Sequence, residues 1–333
     1  MGLVRYVLAF AVLYDHYRLL AGWEAAPSAG LSSYHAVGAF FALSGFLVFR
    51  SFLGSRDTGD YVRRRARRIL PPYLTVVLFM ALFCSLVSVL PPAEYFTSSG
   101  FWKYLGANLT FMNFLHPTLP GVFEDCVRPA VNGSLWTIKE EWALYLSVPA
   151  AAWCVWRFRW RPAAMALTLY GVSIVYRVYF DWLYADTGKE IYAIMSRQFV
   201  GQLMYFYSGV LIYLVYDRFR RHRRAVFLLA AGAVVCGGYI PGYSYVVEPM
   251  AIASLTLLAS LCVRPVDPLR GHYNLAYEIY LFHFPLIQLA AHWRLPEYMG
   301  QAGAMAAVVA VTVLCSYAAY RAIGKRFLVR RSG

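Results

Sequence analysis

The stretch VRYVLAFAVLYDHYRLL, residues 4–20, is apolar, yet it carries Arg5 near one end and the pair Asp15–His16 deep inside. Eleven residues at about 100° each return roughly 20° beyond three full turns, so Arg5 and His16 share one helix face, about 16 Å apart along the axis. A neutral imidazole near pH 7 can take a proton from a hydroxyl as a general base, or attack as a nucleophile. Ionisable groups at membrane depth are costly, so they normally face a cavity or a partner. The plainer alternative is an interfacial histidine at the helix end, with Asp15 paired to Arg18.

Three further stretches carry chemistry-bearing side chains. In YVRRRARRILPPYL, residues 61–74, Arg65 and Arg68 are spaced i, i+3 and share a helical face. Paired guanidinium forks suit phosphate groups, and the alternative is a basic anchor for lipid headgroups. Pro71 and Pro72 are expected to interrupt any continuous helix there. In NGSLWTIKEEWALYLSVP, residues 132–149, Ser134 or Thr137 can cap a helix, and Thr137 with Glu140 reads as a capping box. Glu141 is then the surplus carboxylate, above Tyr145 at i+4; it could orient a histidine or accept hydrogen bonds, or simply sit well near a helix N-terminus. In YEIYLFHFPLI, residues 277–287, His283 is expected near mid-membrane with Pro285 just after it. It is either functional or a packed histidine bonded to a neighbouring helix.

The elements that must position these groups are membrane helices. The chain has 333 residues, 60% hydrophobic and 14% charged, against about a quarter charged in soluble domains. The apolar excess is spread along the chain, so a single transmembrane domain over 1–333 is expected rather than an anchor plus a soluble enzyme. Ten apolar stretches of spanning character lie at roughly 3–20, 35–53, 70–90, 135–156, 162–181, 195–216, 225–240, 248–263, 275–292 and 302–322. The expected fold class is an all-α integral membrane protein. The first helix reads as retained, not as a cleaved signal. The segment 93–134 is the longest connection, expected to hold short helices and turns, and such loops are often functional.

Lysine and arginine set the expected orientation. With the N-terminus in the cytoplasm, 23 of the 31 basic residues fall in cytoplasmic loops, among them Arg5, the run Arg63 to Arg68, Arg157 to Arg161, Arg218 to Arg224, Arg264, Arg270, Arg321, Lys325, Arg326, Arg330 and Arg331. Both termini are then cytoplasmic, and 93–134 is extracytoplasmic. The same pattern accounts for the net charge of +14 without nucleic acid. Five of the six cysteines sit in apolar segments and only Cys126 in a polar one, so no disulfide framework is expected and no zinc-like Cys/His spacing is present. FFALSGFLVFRSF, residues 40–52, carries Ser44 and Gly45, read as residues for close helix packing.

Taken together, these pieces resemble the acyltransferase 3 family of bacterial membrane O-acyltransferases. Arg5 and His16 resemble its Arg-x10-His, FFALSGFLVFRSF its FF-x-L-S-G-F-L element, and RARRILPPY its R-x-x-R-I-x-P element. SLWTIKEEWALYLSVP resembles its S-L-W-S-L-x-x-E-x-x-x-Y element, placing Glu141 on the acid and Tyr145 on the tyrosine. LAYEIYLFHFP resembles its S-Y-x-I-Y-L-x-H-x-P close. Asp15, Thr137 and Ala276 depart from the residues common there. No appended SGNH-type domain, which some relatives have, is expected.

The resemblance implies acyl transfer from a cytoplasmic thioester, acetyl-CoA, to a hydroxyl of a glycan or glycolipid, in the bacterial cytoplasmic (inner) membrane. Arg5, Arg65 and Arg68 would then serve the CoA donor. His16 would be general base or covalent acyl carrier, with Asp15 or Glu141 orienting it. Tyr145, Trp136, Asn113 and His283 are the candidates on the substrate side. The expected partners are membrane lipid and the acceptor glycan, with no nucleic acid and no metal. The competing class is a transporter or flippase of a lipid-linked sugar, but the inverted repeats frequent in transporters are not visible.

Overall fold

The computed structural model describes residues 2–23, 26–27, 32–239, 242–263 and 274–324. Arg264, Arg270, Lys325, Arg326, Arg330 and Arg331 of the charge pattern lie outside them. Every regular element among the described residues is helical: α1 (Gly2–Leu20), α2 (Ser33–Leu53), α3 (Thr58–Phe83), α4 (Pro92–Thr97), α5 (Ser99–Leu109), α6 (Trp136–Phe158), α7 (Pro162–Thr187), α8 (Glu190–Ser196), α9 (Phe199–Leu214), α10 (Tyr216–Arg221), α11 (Arg223–Cys236), α12 (Tyr243–Val246), α13 (Glu248–Val263), α14 (Ala276–His292) and α15 (Leu295–Ala319). Each of the ten apolar stretches forms a helix. Four helical stretches, Ser33–Leu53, Thr58–Leu86, Pro162–Thr187 and Leu295–Gly324, are long and apolar enough to cross a membrane. They mark a membrane protein.

The third helix departs from the sequence expectation. It begins at Thr58, twelve residues before the apolar stretch, and Pro71 and Pro72 lie inside it. The prolines do not interrupt it. Each proline deletes one i→i−4 bond, those to the Arg67 and Arg68 carbonyls, yet the helix continues through both positions, with two hydroxyls bonded to neighbouring carbonyls of the same stretch. The Thr75 hydroxyl donates to the Pro71 carbonyl at 2.7 Å, and the Tyr277 hydroxyl donates to the Ile69 carbonyl at 3.2 Å. Arg65 and Arg68 therefore sit on the same unbroken helix as the apolar span, not on a separate basic turn.

The chain divides into two compact units. The first comprises Met1–Leu8, Tyr34–Arg63 and Glu140–Gly271. Within it α7 packs on α9, and α13 packs on both α9 and α11. Lipid tails are as apolar as leucine, so burying apolar surface gains little between membrane helices, and close approach matters more. The FFALSGF stretch supplies it. A Cβ on Gly45 would stand 1.9 Å from the Phe206 carbonyl oxygen, and a Cβ on Gly209 would stand 1.9 Å from the Ala42 carbonyl oxygen. The two backbones touch through reciprocal glycines. Ala42, Leu43, Phe46, Ile212, Ala253 and Leu257 close the core around them.

The second unit comprises Ala9–Ser33, Arg64–Lys139 and His272–Gly333. Here α14 packs on α15, and Leu13, Tyr17, Phe284, Ile287, Ala304 and Val308 form the core. Gly300, at φ +74°, breaks the first turn and a half of α15 from the rest, a conformation that glycine adopts at no steric cost. The long connection does contain short helices and turns. Tyrosine hydroxyls pin it to α3: Tyr73 donates to the Asn108 carbonyl at 2.6 Å, and Tyr95 to the Ala81 carbonyl at 2.8 Å.

Candidate active site

The second unit brings His16 of α1 and His283 of α14 together. His16 Nδ1 lies 2.8 Å from His283 Nε2, with the rings within 6° of parallel. His283 is fully buried and its Nδ1 lies 2.7 Å from the Tyr280 carbonyl oxygen. A carbonyl only accepts, so the network assigns the His283 proton to Nδ1. In the neutral ring Nε2 is then an acceptor, and the His16 Nδ1–H donates to it. His16 Nε2 keeps its lone pair. His16 is half-buried, so this nitrogen belongs to the more open member of the pair. The edge of Phe284 packs against the His16 ring at 5.4 Å and 79°.

Pro285 explains why a third segment joins them. Without an N–H, Pro285 leaves the Leu281 carbonyl lacking its helical donor. Asn132 Nδ2 supplies one at 2.8 Å. Asn132 Oδ1 in turn accepts from the Ser134 amide at 3.1 Å and the Ser134 hydroxyl at 2.7 Å, which sets the start of α6. A Cβ on Gly133, between them, would stand 2.6 Å from the end of the Phe284 ring, so a larger residue there would displace that ring. The Thr137 hydroxyl lies 3.0 Å from the Ser134 carbonyl and 2.8 Å from the Tyr280 hydroxyl. Gln288, one turn further along α14, donates to the Arg128 carbonyl and, at 2.8 Å, to that of Ala130.

This geometry corrects the capping box expected of Thr137 and Glu140. The helix begins at Trp136, so Thr137 is inside it, and its hydroxyl turns to Ser134 and Tyr280 rather than to the Glu140 amide. Asn132 orders this start instead.

The other sequence candidates distribute as follows. Asp15 Oδ2 accepts from the Ser33 amide at 2.8 Å, so its carboxylate holds the first residue of α2; His283 occupies the partner position at the His16 ring. Arg5 lies eleven residues before His16 on the unbroken α1. Arg65 and Arg68 are half-buried, one turn apart on α3. Trp136 is the half-buried first residue of α6, and Asn113 is buried in the long connection, its side-chain oxygen without a hydrogen-bond partner among the described residues. In the first unit the Tyr145 hydroxyl donates to Glu141, one turn earlier on α6.

Sequence reasoning passed over Asn132, Tyr280 and Gln288 and gave Ser134 only a capping role, though all four join the contacts around α14. Two signals were present: an Asn-Gly pair just before a helix, and a proline four residues after a carbonyl that must find a donor. It also missed Asp125, Cys126 and His292, whose potential ligand atoms all lie within 4.8 Å of one another. His292 Nδ1 is 3.0 Å from Asp125 Oδ1, and this hydrogen bond holds the Asp125 carboxyl below its usual range.

A family model described as an acyltransferase domain matches residues 1–321. An O-acetyl transferase of Shigella phage Sf6 is 26% identical over 349 residues, which cover 98% of this chain and 95% of that protein. No solved structure matches the chain.

Proposed function

The chain belongs to the acyltransferase domain family, and from that premise we propose that it moves an acetyl group from cytoplasmic acetyl-CoA across the membrane to a hydroxyl of an exported or cell-surface glycan or glycolipid. The observation that carries the chemistry is the His16–His283 pair, which fixes a tautomer with a basic nitrogen on His16. The O-acetyl transferase relative supports acetyl as the group transferred. The ten helices and the distribution of basic residues support a multi-pass protein of the inner membrane with both termini in the cytoplasm.

In this scheme His16 Nε2 takes the proton of the acceptor hydroxyl while its oxygen attacks the thioester carbonyl. The carbon–sulfur bond breaks, the thiolate leaves, and it recovers the proton from His16 as CoA thiol. Arg65 and Arg68 grip the CoA phosphates with their guanidinium forks. Asp15 fixes the start of α2 next to His16 and places a negative charge beside the imidazolium formed in the step. His16 acting as an acyl carrier is the variant of this scheme that a trapped acyl-imidazole would identify.

The test is acetyl-CoA turnover by purified protein in nanodiscs, wild type beside His16→Ala, with a polysaccharide precursor as acceptor. CoA release that needs acceptor and falls by about 10²-fold or more in the variant is the expected result. Equal turnover by both proteins refutes the role of His16; failure of both to bind acetyl-CoA refutes the donor.

A further inference from the structure

The first unit holds a second polar cluster, built from the start of α2, the later half of α7 and the start of α13. Its floor is buried. Arg177 is 7% exposed and Glu248 6% exposed. Its rim is open, with the His35 side chain 41% exposed and that of Asp181 31% exposed. His35 Nε2 stands 2.7 Å from Glu248 Oε1, and Arg177 Nε stands 3.7 Å from Asp181 Oδ2. The Arg177 guanidinium lies over the Tyr34 ring at 5.1 Å, and the Tyr245 hydroxyl donates to Asp181 at 3.0 Å. Tyr34 is itself fixed, its hydroxyl 2.7 Å from that of Tyr205.

One atom in this cluster is unaccounted for. Arg177 Nη1 is buried and has no hydrogen-bond partner among the described residues. A buried donor without an acceptor is costly, and a charged one more so. The neighbouring groups restrict what acceptor fits. Two carboxylates, Asp181 and Glu248, and one guanidinium gather around Tyr34 and its neighbours, so an anionic ligand would meet more negative than positive charge unless His35 were protonated, and no net attraction even then. Carboxylates flanked by aromatic rings suit a ligand that donates hydroxyl protons, presents C–H faces to tyrosine and offers an uncharged oxygen to arginine.

We propose that the Arg177–Glu248 cluster is a binding site for a neutral saccharide. Asp181 and Glu248 accept from sugar hydroxyls, Tyr34 and Tyr245 bound its ring, and Arg177 Nη1 donates to a ring or hydroxyl oxygen. The binding chemistry stands on these residues alone. Only the source of the sugar, an exported glycan, rests on the function proposed above.

The experiment is saturation-transfer NMR on the full chain in nanodiscs, without CoA, using methyl glycosides of neutral hexoses and 6-deoxyhexoses beside methyl glucuronide and galacturonide. At least one neutral glycoside is expected to bind, and neither uronide. Tyr34→Ala and Asp181→Asn, both at the open rim, are expected to weaken that binding tenfold or more while the protein elutes as the wild type does on size exclusion. Arg177→Lys, which keeps the charge and loses the fork, is expected to weaken it too. Uronides binding as well as neutral sugars, rim variants binding like wild type, or no neutral glycoside binding at all would each overturn the proposal. A protein that turns over acetyl-CoA yet binds no glycoside rejects this site and leaves acyl transfer intact; one that binds glycoside but not acetyl-CoA does the reverse.

Discussion

Asn132 donates from its side-chain amide to the Leu281 carbonyl at 2.8 Å, across a gap that Pro285 opens in α14. The missing helical bond and the incoming asparagine are two halves of one arrangement. Truncating the side chain in Asn132→Ala leaves a buried carbonyl unpaired and unties Ser134, at a cost of about 1–3 kcal/mol. Pro285→Ala returns the N–H to the helix. The double variant should therefore lose less than the sum of the singles, with a coupling of about 0.5–3 kcal/mol in thermal unfolding in nanodiscs. Strict additivity would mean that Asn132 does not serve that carbonyl.

In the proposed function His283 positions His16, and its variants should sort by what they offer the His16 Nδ1–H. His283→Gln keeps an acceptor oxygen; His283→Phe keeps the volume without one. We expect about tenfold to 10²-fold loss of kcat for phenylalanine, a smaller loss for glutamine, and little change in KM for acetyl-CoA in either. The pH profile is the second readout, because releasing the His16 tautomer shifts the ascending limb. Equal losses for both variants would point to packing alone.

Gly45→Ala forces the backbones of α2 and α9 apart, since the new carbon would stand 1.9 Å from a carbonyl oxygen. Overpacking of this kind costs about 1–3 kcal/mol or more. Gly171→Ala, in mid-α7 with nothing within 4 Å of the added carbon, should instead hold or raise the melting temperature, by up to about 1 kcal/mol from helix propensity. Comparing the two melting curves isolates close approach from helix propensity.

Cys126 tests both chemistry and sidedness. Burial first, then the adjacent Asp125 charge, pushes its thiol up to about 11. At pH 7 the thiolate fraction is then ~10⁻⁴, against roughly 3% for an ordinary thiol. Maleimide labelling should run about two orders of magnitude slower than for a surface cysteine, and Asp125→Asn should speed it. In right-side-out vesicles an impermeant maleimide should reach Cys126. Labelling only after the vesicles are opened would reverse the proposed orientation.

Arg65→Ala removes one guanidinium fork of the pair on α3. We expect KM for acetyl-CoA to rise by an order of magnitude or more, with KM for the acceptor little changed. A donor KM equal to wild type rules out phosphate binding by this residue.

Much of the helix layout is written locally in the chain. Runs of apolar residues mark where ten helical stretches lie, with ends that differ by up to twelve positions, and Ser44–Gly45 mark a close crossing because only a missing side chain permits one. The third helix starts well before its apolar run because its basic opening lacks apolar character, and it continues through a double proline that by itself argues against helix. Along α1, Arg5 and His16 share a readable spacing. The contact that gives His16 its tautomer does not, since His283 lies 267 residues away. Asn132 was hidden for a related reason. An asparagine before a helix looks like an ordinary cap, and its second partner is known only once α14 is beside it.

The histidine pair ends on a backbone carbonyl. A row of imidazoles inside a membrane is ordinarily a route along which protons hop, and such a route would drain the potential the cell maintains. Here the last acceptor, the Tyr280 carbonyl, cannot take up a proton and pass it on. Charge picked up at His16 must return by the side it came from. The relay is thus a dead end for current, so under the proposed topology the protein can hold these titratable rings within the membrane without short-circuiting it.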